Sequence, residues 1–103
     1  MHLNLDPTRF EDQQVALVRT LVEGIRVKLQ EAGLSGNQLE DATVSVAFSV
    51  ASTIDDTSAI EVDGTEVHPY LTFRTSDDEL THCGDNAYTH EFVYEMLQKI
   101  NEK

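Results

Sequence analysis

Four side chains near the end of the chain have the chemistry of metal ligands, nucleophiles and bases: His82, Cys83, Asp85 and His90. A zinc site needs three or four such groups converging at tetrahedral positions. Neighbouring strand residues point to opposite faces, so His82 and Cys83 would not readily share one ion. Neither C-x-x-C nor H-E-x-x-H spacing occurs. We therefore expect no metal or other cofactor here.

Cys83 is also the only thiol, and His82 and His90 are the only nearby bases. Nothing around them resembles a nucleophile elbow or a catalytic-cysteine signature. The favoured interpretation is a non-enzymatic protein in which Cys83 is a small buried side chain. A small metal-binding protein or enzyme that uses the Cys83/His90 region is kept as an alternative.

A second group of polar side chains alternates along a predicted strand: His68, Tyr70, Thr72 and Arg74. Because side chains alternate between faces, these four share the face opposite the apolar residues of the strand. Tyr and Arg are enriched at protein interfaces. With the helices expected on the other face of the sheet, this pattern fits a surface for a protein partner. An ordinary amphipathic strand with solvated polar side chains is the equally weighted alternative.

Glu61 and Glu66 flank Asp63-Gly64, which is the strongest turn signal in the chain. A two-residue hairpin turn there places Glu61 directly opposite Glu66. Like charges in this position cost about 0.2–1 kcal/mol unless a cation or a partner lies between them. A solvated face is the simpler interpretation of these acids. We nevertheless include both carboxylates in the candidate interaction surface.

The elements that would position these groups begin with a long helix. Asp6 is a typical N-cap, and Pro7 is well suited to the first helical position. Apolar residues at three- and four-residue spacing predict an amphipathic helix that ends at Gly33. Gly24 lies inside it and is expected to mark a close crossing with the next helix. The short link that follows allows an antiparallel helical hairpin.

The stretch from Leu39 to Ile54 is expected to form the centre of the fold, because it is apolar on more than one side. Its alternation from Val44 to Val50 also fits a half-buried strand. Two features favour a helix: the length of the stretch, and a capping box that Ser35 can form with Gln38.

The remaining elements are three short strands and a final helix. The second strand of the Asp63-Gly64 hairpin continues through Pro69 to Arg74, and Pro69 indicates either a bulge or a change of pairing partner. A third strand from Glu79 to Cys83 follows. Apolar spacing predicts a helix from Ala87 to about Asn101. The predicted fold is α+β: a two-helix N-terminal hairpin, a three-stranded antiparallel β-meander and a C-terminal helix (α-α-β-β-β-α). The helices lie on one face of the sheet, and residues 1–103 form a single domain.

The charge of the chain is strongly acidic, with 19 acids against 7 bases and a net charge of −12. Most of the excess follows residue 33. Such a surface repels nucleic acid and anionic membranes, so we expect no direct binding to either. Solubility or adaptation to high salt is the simpler interpretation. The alternative is an acidic antagonist that mimics nucleic acid and captures a basic DNA- or RNA-binding protein.

Three further features concern location and role. No apolar run is long enough to span a bilayer, and the first residues lack the pattern of a signal peptide. The single cysteine fits a reducing compartment, so a cytoplasmic location is expected. We expect a small acidic protein that acts by protein–protein contact, with a homodimer as the favoured form, because a domain of this length has a modest core.

Overall fold

The computed structural model describes residues 1–102, and helices form its larger part. The three helices are α1 (Pro7–Glu31), α2 (Gly36–Ile54) and α3 (Val93–Asn101). Asp6 caps α1 as predicted, because its Oδ1 accepts a hydrogen bond from the Arg9 N–H at 3.1 Å. Gly33 has a φ of 106°, and the N–H groups of Gly33 and Leu34 bond to carbonyls of the last turn. The predicted end of α1 is therefore confirmed.

Helix α2 spans the whole stretch that also fitted a strand, so the helical prediction is confirmed. Two local predictions about the helical hairpin are wrong. The Ser35 side chain makes no capping hydrogen bond within residues 1–102. A Cβ added at Gly24 would meet no atom of that same region within 4 Å, so Gly24 does not mark a helix crossing.

The core lies among the three helices rather than between helices and sheet. Small side chains on α2, Ala47 and Ala51, allow close packing against Val18 and Val22 of α1. Helix α3 completes this core with Val93, Met96 and Leu97. The predicted stripe of α3 is thus confirmed, but the helix begins later than expected. Tyr88 has a φ of 52°, and a 3-10 turn over Thr89–Phe92 precedes α3.

The strands form two separate sheets: β1 (His2–Leu5), β4 (Phe73–Ser76) and β5 (Glu79–His82) form one, and β2 (Glu61–Val62) with β3 (Thr65–Glu66) forms the other. The order in the larger sheet is β1-β5-β4, with β1 parallel and β4 antiparallel to β5. The α+β class, the helical hairpin and the Asp63-Gly64 turn are confirmed. The single antiparallel meander is not observed, since the three-stranded sheet is mixed.

The difference has two physical causes. Pro69 has no N–H to donate, and residues 67–72 run between the hairpin and β4 without joining a strand. The open position beside β5 is filled by β1. This strand lies in the few residues before Asp6, and that segment is too short to show the alternation of a strand. The pairing joins Leu3 to Leu80 and Leu5 to His82.

Helix α1 connects the helical core to the sheet. Phe10 is buried, and its ring lies 5.0 Å from the ring of Phe73 on β4. Thr81 of β5 is buried on this inner side, where its hydroxyl contacts that of Thr75. One face of the sheet therefore rests on α1, whereas α2 and α3 pack mainly on the other helices.

The molecule is flat, with extents of 44 × 40 × 21 Å and a radius of gyration of 15.3 Å. A compact domain of this length is expected to have a radius of gyration of about 13 Å. Within residues 1–102 no helix combines the length and apolar character needed to cross a membrane.

Candidate functional site

The outer face of the three-stranded sheet carries exposed apolar side chains. Leu3 and Leu5 are each 60% exposed, and their strand partners Leu80 and His82 are only partly buried. Arg74 pairs with Leu80 and therefore shares this face. We call the surface formed by Leu3, Leu5, Leu80, His82 and Arg74 the leucine face. Exposed leucines so close together are unusual unless a surface makes contacts.

Tyr70 extends the leucine face beyond the end of β4. Its hydroxyl lies 3.1 Å from His82 Nδ1, and its side chain is 52% exposed. Its other side lines an apolar groove with Ile54, Pro69 and Leu71. Tyr70 and Arg74, which were predicted to share a face, therefore lie at one surface. Thr72, which lies between them in the sequence, is half-buried. The leucines were missed because β1 was missed.

His68 is not part of this surface but belongs to an acidic cluster at the hairpin. Its Nδ1 lies 2.8 Å from Asp56 Oδ2, and its Nε2 lies 3.0 Å from Glu66 Oε1. Glu66 pairs with Glu61, as predicted. The hydrogen bond to Asp56, and to a smaller extent that to Glu66, raises the pKa of His68 above its ordinary value. When His68 is protonated, its charge offsets part of the charge of Glu66, which lies opposite Glu61.

We expect the contribution of His68 to stability to depend on pH. Because its pKa is raised in the folded state, the contribution is fully present below the ordinary histidine value of about 6.5. It is lost as pH rises through the folded-state pKa. An NMR titration of the ring protons should give a midpoint above that of an unperturbed histidine. Asp56→Asn should lower the midpoint more than Glu66→Gln, and equal midpoints in wild type and Asp56→Asn would contradict the assignment.

The four candidate metal ligands are not brought together. Cys83 Sγ donates to the carbonyl of Asp85 at 3.0 Å, and His82 bonds to Tyr70. The Asp85 carboxylate accepts from the N–H of Asn86. In the part of the chain that the structure describes, no three His, Cys, Asp or Glu side chains are grouped to hold a metal ion.

His90 instead pairs with Asp55, a partner that sequence reasoning missed. Asp55 is only 4% exposed, and its Oδ2 lies 2.7 Å from His90 Nδ1 and accepts the His90 backbone N–H at 2.8 Å. The ring of Phe48 packs edge-on at 5.3 Å from the imidazole. Because 35 residues separate Asp55 from His90, no local pattern could indicate the pair. It holds the end of α2 against the 3-10 turn before α3.

A second apolar surface lies on α2. Val46 and Val50 are exposed one turn apart, and residues 42–54 contain no charged side chain. This helix surface and the leucine face both combine exposed apolar side chains with few charges. Comparison of the chain with protein-family models, with curated proteins and with solved structures finds no match.

Proposed function

We propose that this protein acts by protein–protein contact as a homodimer and that the leucine face is its contact surface. The observation that carries the proposal is the exposure of Leu3 and Leu5 beside Leu80 on an open sheet face. Full burial of an exposed leucine side chain contributes about 1.5–3 kcal/mol, and 60% of each of these two side chains is still available for burial. Tyr70 and Arg74 add residue types that are enriched at interfaces.

The distribution of charge supports this choice of surface. Two copies that each carry a net charge of −12 repel one another over most of their surfaces. The first five residues contain no acid, and the leucine face includes Arg74 and His82. The leucine face itself therefore contains no acid, so contact through it avoids direct pairing of carboxylates.

The proposal includes no catalytic step. Cys83 is a free thiol that bonds to the carbonyls of Asp85 and Asn86 and is separate from His90. A single free thiol suits a reducing compartment, so we place the protein in the cytoplasm.

The test is the solution mass from light scattering, at low and at high salt. We expect a dimer at both, with tighter association at high salt because screening weakens the repulsion between copies. Leu3→Glu should raise the dissociation constant roughly 100-fold or more, since each dimer loses two leucine contacts and gains two buried charges.

The matched control is Val62→Glu, which places the same charge at an exposed apolar residue of the hairpin. It should leave the dimer unchanged. Val46→Glu tests the helix surface in the same way. A monomeric wild-type protein would overturn the proposal, as would dissociation caused by Val46→Glu but not by Leu3→Glu.

A further inference from the structure

The main chain of β1 has one free side. The N–H of His2 donates to the carbonyl of Asp78, and the N–H of Asp6 donates to that of His82, so the amides of the even-numbered residues face β5. By strand alternation the N–H and C=O groups of Leu3 and Leu5 point away from β5. Strand β1 is therefore an edge with four outward main-chain groups.

The two edges of this sheet differ in their protection. Natural edge strands are commonly blocked by bulges, charged side chains or proline. The opposite edge, β4, has an irregularity between Arg74 and Ser76 and carries a charged arginine. The side chains of β1 (His2–Leu5) include no lysine, no proline and no acid. Its shortness limits the number of main-chain bonds, so pairing there also needs side-chain contacts.

We propose that two copies of this chain join through β1, antiparallel about a two-fold axis at Asn4, into one continuous six-stranded sheet. This inference rests on the proposed homodimer and narrows its contact to β1, so that Leu3 and Leu5 are the members of the leucine face that touch the second copy. Leu3 faces Leu5 of the second copy, and Leu5 faces Leu3. Each of these pairs exchanges two main-chain hydrogen bonds, so all four outward groups of each β1 are used.

The side chains are self-complementary in this arrangement. Leu3 and Leu5 of both copies meet on the leucine face as a cluster of four, and the two Asn4 side chains meet on the inner face. A two-fold axis requires one segment to match itself, and an uncharged strand with alternating leucines does so. The shared sheet then presents both sets of Tyr70 and Arg74 on one side.

A disulfide between copies tests the axis directly. With Cys83→Ser as background, Asn4→Cys places two thiols on facing residues whose Cα atoms lie about 4.5 Å apart, within disulfide range. We expect rapid conversion to a covalent dimer on mild oxidation. The control His2→Cys faces Asp6 of the second copy, about 13 Å along the strands from the other thiol, and should stay uncross-linked.

Leu3→Pro is the second variant, because proline removes an outward N–H while the bonds from β1 to β5 remain. It should weaken the dimer at least tenfold, whereas Leu80→Glu, one strand further in, should weaken it less. The geometry is overturned if wild type is a dimer that Leu80→Glu dissociates while Asn4→Cys fails to cross-link; the proposed function then stands. A monomeric wild type overturns both proposals. Pairing of β1 with a strand from another protein would give this result, because the chain alone would then be a monomer.

Discussion

Phe10→Ala is expected to lower the free energy of unfolding by about 3–5 kcal/mol. Phe10 is 2% exposed, and it is the side chain through which α1 packs on Phe73. Truncation leaves a cavity where the helical core meets the sheet, and little else can fill it because α2 and α3 pack mainly on α1. Domains of this size have a total stability of only about 5–15 kcal/mol. The variant should therefore approach the limit of folding.

The measurement is urea denaturation followed by circular dichroism, with the same substitution at Phe48 as control. Phe48 is 47% exposed and contacts His90 at its edge. Its truncation should cost less than about 1.5 kcal/mol, since nearly half of its surface is already in water. Equal losses of unfolding free energy for the two variants would contradict the role of the Phe10–Phe73 contact in joining the helical core to the sheet.

Asp55→Ala is expected to lower the free energy of unfolding by about 3 kcal/mol. The substitution leaves the backbone N–H and Nδ1 of His90 without their common acceptor in a buried position. Asp55 Oδ1 already lacks a hydrogen-bond partner within residues 1–102, which offsets part of the loss. The substitution also frees the end of α2 from the 3-10 turn, so the effect should extend to the start of α3.

Asp41→Ala is the control, because Asp41 is an exposed acid on the same helix. It should change stability by no more than about 0.5 kcal/mol. A double-mutant cycle with His90→Ala isolates the interaction, and the second substitution should cost little once Asp55 is absent. Additive losses from Asp55→Ala and His90→Ala would contradict a specific bond between the two residues.

The hairpin and the two long helices could be predicted because their signals are local. Asp63 and Gly64 both have positive φ, as an Asp-Gly turn requires, and this geometry depends on those two residues alone. The cap of α1 joins Asp6 to Arg9, within one helical turn. A local signal was wrong at the start of α2. Ser35 occupies the N-cap position, but its side chain does not make the predicted hydrogen bond.

The grouping of the candidate residues in space was predicted only in part. Strand alternation correctly grouped Tyr70 with Arg74, but it also included His68, which the structure joins to Asp56 and Glu66 instead. The error follows from Pro69: alternation was extended through a residue at which strand pairing stops.

The sequence by itself determined the α+β class, the two ends of α1 and the Asp63-Gly64 turn, because each depends on neighbouring residues. Only the tertiary structure decided that β1 pairs with β5 and that Asp55 bonds to His90. These contacts join distant parts of the chain, and their registers are selected by packing of the whole molecule rather than by local preference. The exposed leucines follow from that pairing, since Leu3 and Leu5 gain a common face only when β1 becomes an edge of the sheet.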